Sequence, residues 1–308
     1  MNAREQLQSF TLDTLPTLDT VVLGALELFS AETVPTLELG LERPLVMGSG
    51  NAAATGKILF ATNPAIFADE ATYSSALAQG GYDGVVVLSA SGKKHAIAMV
   101  QEACEHQVPV HLITNNDKAP AAQMLADTSI HVFPKNREPY TYNTSTYLGP
   151  IFGASKESAG ELRTFIEQQV SPTLLRNFAD YNAYTFIVPD AFAPVCDMVR
   201  TKFDELFGGM VTGRVFTESE IMHAKTVVPS GAELFISLGC RNEHYGLPRN
   251  HLMVPMPESA GFAAAIAISY FIVGKIQMAH PPYFTNNIVT YCETATQLFG
   301  HDISPIVE

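Results

Sequence analysis

The sequence predicts an α/β fold built on parallel sheets, and three observations carry that prediction. The run Val85-Val86-Val87-Leu88 lacks polar alternation, as a strand covered on both faces requires. It enters the turn Ser89-Ala90-Ser91-Gly92-Lys93-Lys94, beyond which Ile97, Met99, Val100 and Cys104 recur at a helical spacing. The same order of strand, small-residue turn and helix occurs upstream, where Pro44-Leu45-Val46-Met47 meets Gly48-Ser49-Gly50-Asn51 and the alanine-rich stretch Ala52 to Leu59. Strands alternating with helices of this length argue a parallel sheet.

Taken in order, residues 1–40 read as helical, with Leu15, Leu18, Val21, Leu23, Leu26 and Phe29 as apolar positions and Pro16 beginning or kinking a helix. Lys57 to Thr62 is a short strand or a helix end, and Gln107 to Thr114 and Ser129 to Pro134 are strands. Lys156 to Val170 has helical spacing and Ser171-Pro172 closes it, so a boundary is expected near residue 172. The expected division is a helical segment over 1–40, a first α/β domain over 41–172 and a second over 173–308. In the second, Tyr184 to Val188, Met210 to Phe216, Leu234 to Leu238 and His251 to Pro255 are strands, with a helix over Val195 to Phe207. Ala260 to Gly274 is an apolar run of about fifteen residues, short of the roughly twenty that span a bilayer, and reads as a buried helix.

Composition narrows the function. The 308 residues are 47% hydrophobic, enough for two ordinary cores, and the formal charge of −13 with no cluster of Lys and Arg argues against a nucleic-acid partner. Cys104, Cys196, Cys240 and Cys292 are widely spaced without C-x-x-C, so neither a metal site nor a disulfide framework is expected. Arg4 is followed by Glu5 and Asp13 with no signal-like apolar region, so the expected location is cytoplasmic, with no membrane partner.

Small-residue turns at helix starts suit anions, because unsatisfied N–H groups and the positive end of the helix dipole are open to close approach. The bland alternative is a capped turn without a ligand. The spacing is not G-x-G-x-x-G and no acidic residue stands where a ribose would be read, so dinucleotide binding is set aside and no cofactor is expected.

Gly48-Ser49-Gly50-Asn51, the strand and loop from Asp83 to Gly92, Ile113-Thr114-Asn115-Asn116, Leu125-Ala126-Asp127, and Glu138 ahead of Thr144 to Tyr147 together resemble the sugar isomerase (SIS) domain family over about a hundred residues. The resemblance implies two SIS-type subdomains, each a parallel sheet flanked by helices. It also implies a phosphosugar whose phosphate is held by Ser89, Ala90, Ser91, Gly92 and Lys94, with Gly48, Ser49, Gly50 and Asn51 lining the sugar. Lys94 stands where related synthases carry a threonine, and could replace that contact with charge.

The same resemblance supplies catalytic candidates. Lys202-Phe203-Asp204-Glu205 resembles the synthase helix whose glutamate moves a proton between C1 and C2, which points to Glu205. Glu218-Ser219-Glu220-Ile221-Met222-His223 resembles a segment whose histidine opens the sugar ring, which points to Glu220 and His223 with Glu218 as a rival. Glu138 is placed at the pocket edge or in a surface ion pair. Glu and His are the types a proton shuttle needs. No lysine follows Lys275, where relatives use a tail lysine, so that role falls to His280, His301 or another group, or stays empty. The expected function is an aldose–ketose phosphosugar isomerase, or a deaminase or deglycase acting on an amino-sugar phosphate. The alternative is a non-catalytic sugar-phosphate sensor. A homodimer in which His223 serves the neighbouring subunit is implied by the same resemblance.

Overall fold

The computed structural model describes residues 2–174, 177–226, 228–300 and 302–308; His301, considered above for ring opening, lies outside them. Helices α1 (Ala3–Ser9) and α2 (Leu18–Ala31) come first. Then follow β1 (Leu45–Met47), α3 (Asn51–Leu59), β2 (Ile66–Ala68), α4 (Tyr73–Gln79), β3 (Val85–Leu88), α5 (His95–Cys104), β4 (Val110–Thr114) and β5 (Ile130–Val132). A short strand β6 (Glu138–Pro139) leads to α6 (Thr144–Ala154) and α7 (Ala159–Phe165). The chain continues as β7 (Ala183–Val188), α8 (Cys196–Phe207), β8 (Thr212–Thr217), α9 (Glu218–Ile221), β9 (Glu233–Leu238), β10 (His251–Val254), α10 (Phe262–Ala279), α11 (Tyr283–Phe299) and β11 (Ile306–Val307).

The strands form two parallel sheets, of order β2-β1-β3-β4-β5 and β10-β9-β7-β8, and the expected parallel α/β class is what is observed. Numbered from its own first strand, the second sheet has the order 4-3-1-2, which is the first sheet's 2-1-3-4 read from the other edge. The second half therefore repeats the plan of the first. In both, the strand order reverses beside the first strand, which opens a crevice at the carboxyl ends of the first and third strands.

The chain divides into two compact units. One, here the serine-loop unit, comprises Glu32–Lys135 and Thr146–Lys156; the larger unit comprises Met1–Ala31, Asn136–Ser145 and Glu157–Glu308. The expected divisions at residues 40 and 172 thus differ from the compact units. The reason is packing: α2, with Leu18, Val21, Val22, Ala25 and Leu26 fully buried, lies against α10 of the larger unit. Gly274 permits that approach, since a Cβ there would meet the Asp19 backbone nitrogen at 2.0 Å. Helix α10 is longer than the fifteen-residue run, 18 residues, and 78% of it is buried inside the protein, as a core helix would be.

Within the serine-loop unit, Leu45, Met47, Val85, Val87 and Leu112 face one core, and Val46, Val86, Leu88 and Ile113 face the other. Burial on both faces is why these strands lack polar alternation. Strands expected at 107–114, 129–134, 184–188, 210–216, 234–238 and 251–255 all appear, with ends shifted by a few residues. Lys57 to Thr62 is the end of α3 and the chain beyond it.

Candidate functional site

The turns Gly48 to Asn51 and Ser89 to Lys94 follow β1 and β3, which are hydrogen-bonded neighbours, so both stand at the carboxyl-end crevice of the first sheet. The second turn is held from one side. The Ala90 carbonyl accepts from the Asn115 backbone N–H and the Thr114 hydroxyl, each at 3.0 Å. The Ser91 carbonyl accepts from Asn116 Nδ2 at 3.1 Å, and the Gly92 carbonyl from the Ala121 N–H at 3.0 Å. A trans peptide points its N–H opposite its C=O, so the N–H groups of Ser91 and Lys93 are turned away from this wall. Gly92 N–H donates to Ser89 Oγ at 3.2 Å, which closes the turn. The Ser91 and Lys93 N–H groups thus stand near the start of α5, where the helix dipole favours negative charge.

Two backbone features mark it further. Gly92 has φ +61°, and a Cβ there would lie 2.3 Å from Ala119 Cβ, so only glycine fits. Lys94 caps α5 at φ 53°, ψ −122°, the conformation that Gly50 adopts at the cap of α3 (φ 53°, ψ −123°). A lysine in glycine's conformation costs about 1–3 kcal/mol, a strain that natural chains keep at functional positions. Partial burial lowers the Lys94 ammonium from its ordinary pKa.

In the larger unit, α8 carries Glu205 on its last turn. The helix lies close on β8, because Gly213 leaves room for the Phe203 ring. Lys202 occupies the buried stripe with Val199, Phe203 and Leu206; its side chain is 1% exposed. Its ammonium donates to Glu205 Oε2 and to the Thr141 carbonyl, both at 2.5 Å, and faces the Tyr270 ring at 5.5 Å. A buried cation needs this many partners. Burial pushes the Glu205 carboxyl above the ordinary carboxylate range, with Asp204 adding to the shift and Lys202 opposing it. Glu205 opens on a cleft of about 320 Å³ whose other walls include Thr141, Asp204, Tyr283, Asn287 and Tyr291. Lys202 was missed as a functional group in the sequence, where the signal was a lysine at an apolar position of the α8 stripe.

The remaining candidates are placed elsewhere. Glu138 is 4% exposed and accepts from the Thr144 and Ser145 N–H groups at 2.6 and 2.7 Å and from the Ser145 hydroxyl. Both its oxygens serve the start of α6, so it is neither at a surface ion pair nor open at a pocket edge. Burial raises its pKa despite these donors and Lys202. Glu220 forms a capping box: its N–H donates to Thr217 Oγ1 at 3.1 Å, and its carboxylate accepts from the Thr217 N–H at 3.0 Å. Glu218 and His223 are exposed. These three follow the carboxyl end of β8, whereas Glu205 precedes its amino end. Six strand residues separate the two ends by roughly 20 Å, so one chain does not bring its own Glu205 and His223 together. His280 Nε2 lies 2.8 Å from the Tyr184 hydroxyl, and burial lowers its pKa.

No protein-family model matches the chain, and no curated protein matches it in sequence. Solved structures do match in fold. The glucosamine-6-phosphate deaminase of Thermotoga maritima is 12% identical, with TM-score 0.62 over 84% of this chain and 92% of that one. The C-terminal domain of the glucosamine-fructose-6-phosphate aminotransferase of Francisella tularensis is 10% identical, with TM-score 0.61 over 88% and 98%. The tagatose-6-phosphate ketose/aldose isomerase of Escherichia coli is 11% identical, with TM-score 0.56 over 91% and 92%. The chain therefore has the two-sheet α/β/α SIS fold shared by these sugar-phosphate proteins.

Proposed function

We propose that this protein is a sugar-phosphate isomerase, with the phosphate held by the Ser89–Lys94 turn and Glu205 moving the proton. The observation that carries the catalytic half is the pairing of Glu205 with buried Lys202 in an open cleft. Lys202 occupies Oε2 and orients the carboxylate, while burial raises its basicity toward the working range of a proton shuttle. In the step, Glu205 takes the proton from the carbon next to the sugar carbonyl to give an enediolate, the former carbonyl oxygen gains a proton as the neighbouring hydroxyl gives one up to become the new carbonyl, and Glu205 returns its proton to the former carbonyl carbon. Nothing is oxidised or reduced overall.

His223 completes the proposal as a ring-opening group donated by a second copy of the chain in a homodimer, since its own chain holds it at the far end of β8. Mixing inactive Glu205→Gln and His223→Ala subunits would then restore up to about half of the activity of a wild-type pair of sites, and restoration would be absent if histidine and base belong to one chain. The test of the reading as a whole is exchange of the C2 proton of glucose 6-phosphate with deuterated water. Exchange is expected; stabilisation by ligand without exchange would favour the sensor instead.

A further inference from the structure

We infer that the Thr141 hydroxyl handles the oxygen side of the reaction, passing a proton between the two oxygens of the enediolate while Glu205 serves the carbons. The inference rests on the reading of Glu205 as the base and adds a second catalytic group to it.

Moving a proton from one carbon to the next leaves the oxygens unfinished, since one must gain a proton and its neighbour must lose one. Glu205 is occupied with the carbons, and the ammonium beside it is not open to a sugar. The Lys202 side chain is 1% exposed, and its nitrogen donates at 2.5 Å both to Glu205 Oε2 and to the Thr141 carbonyl. A neutral hydroxyl suits the task, because it is donor and acceptor at once.

Thr141 holds such a hydroxyl in reserve. Thr141, Lys202 and Glu205 all belong to the larger unit, and Thr141 and Glu205 line the same cleft. Both hydrogen bonds of Lys202 end on one nitrogen, so the Thr141 carbonyl and the Glu205 carboxylate are held on either side of a single atom. That carbonyl accepts also from Asn143 Nδ2 at 3.4 Å. The Thr141 Oγ1, by contrast, is closed off from water and has no partner among the described residues. A buried hydroxyl without a partner is costly. Thr141 also sits at φ 74°, where a β-branched residue is an outlier and glycine would be relaxed. Two costs at one position beside the base point to function rather than packing. With no hydrogen bond to break, one staggered step about χ1 redirects the hydroxyl, and an oxygen of the sugar is the partner it lacks.

In the step, the Thr141 hydroxyl gives its proton to the former carbonyl oxygen and takes the proton of the neighbouring hydroxyl. The oxygen that loses its proton becomes the new carbonyl as Glu205 returns its own proton to carbon. Thr141 ends as it began, and nothing is oxidised or reduced.

The test measures two rates for Thr141→Val in deuterated water with glucose 6-phosphate. One is washout of the C2 proton, which needs only the base; the other is formation of fructose 6-phosphate, which needs the oxygens as well. Valine keeps the shape and the β-branch and removes only the hydroxyl. Isomerisation should fall by a factor on the order of 10² and exchange much less, so the ratio of exchange to isomerisation should rise at least about tenfold. Thr141→Ser should return the ratio to that of the wild type. The urea midpoint of Thr141→Val should hold or rise, since an unpartnered buried hydroxyl gives way to a methyl, whereas a merely structural role would lower the midpoint and both rates together. Should the valine variant not fold, Thr141→Ala against Thr141→Ser repeats the comparison. An unchanged ratio without the hydroxyl, or a ratio that rises instead in Tyr283→Phe or Tyr291→Phe, overturns the inference and leaves the isomerase reading standing. If the wild type does not isomerise, that reading falls and the inference falls with it.

Discussion

The two parallel sheets share a strand order but differ at their reversal points. At the first, the strands run into Gly48-Ser49-Gly50-Asn51 and Ser89-Ala90-Ser91-Gly92, small residues that leave the backbone at the two helix starts open to close approach. At the second, β7 ends at Pro189-Asp190 and β9 at Gly239-Cys240-Arg241-Asn242. Asp190 takes the Ser219 N–H at 2.9 Å and the Ser219 hydroxyl at 2.5 Å, which lowers its pKa and puts a fixed negative charge where an anion would sit. The second sheet instead offers chemistry at its opposite edge, where α8 ends with Lys202 and Glu205. In the proposal, the same topology serves as an anion cradle in one half and as a scaffold for a proton-transfer base in the other. What distinguishes them is the size and charge of a few loop residues.

The largest effect should come from Glu205→Gln, which keeps shape but removes the proton acceptor. Turnover should fall by a factor on the order of 10² to 10⁴ with sugar phosphate still bound. Glu218→Gln should keep most activity, and Glu220→Ala, which removes the side-chain acceptor of the Thr217 N–H, should lose about 1 kcal/mol of stability through its capping box. A dead Glu218→Gln beside an active Glu205→Gln would move the base to the other end of β8.

Lys202→Met should come next. It removes the charge that holds the Glu205 pKa down, so the acid limb of the rate–pH profile should move to higher pH. Breaking the buried pair should also cost about 3 kcal/mol in chemical denaturation. An unchanged acid limb would remove Glu205 from catalysis.

Lys94→Gly should show a smaller effect of mixed sign. Relief of the strained cap should offset glycine's entropy and raise stability by about 1 kcal/mol, while phosphosugar affinity drops a few fold for want of the cation. A destabilised variant with unaltered affinity would make Lys94 an ordinary cap.

Strands of both sheets were legible because burial on two faces forces uninterrupted apolar runs, as in Val85–Leu88 and in Leu234, Phe235 and Ile236. Strand β2 was not: it has three residues, and Phe67 is exposed. Helix α11 went unread although Phe284, Ile288, Cys292 and Ala295 recur at helical spacing, because Thr285, Asn286, Asn287 and Thr290 dilute the pattern. At the site, the glycine and serine turns were legible because they need special backbone. Glu138 was opaque, since the helix it caps starts six residues later and only the fold shows the return. Glu220 carried a readable capping signature, Thr217-Glu218-Ser219-Glu220, that competed with a catalytic reading of the same residue. Lys202 was hidden because a lysine in a helix reads as solvated unless its place in the apolar stripe is weighed.

The most direct test of the contrast between the two sheets is the affinity of Ser91→Ala for fructose 6-phosphate and for fructose, measured by calorimetry beside an Asp190→Asn control. The account predicts that Ser91→Ala loses about tenfold or more for the phosphorylated sugar, with fructose little affected and the control close to wild type. Equal losses for both sugars in Ser91→Ala, or a loss confined to Asp190→Asn, would contradict it.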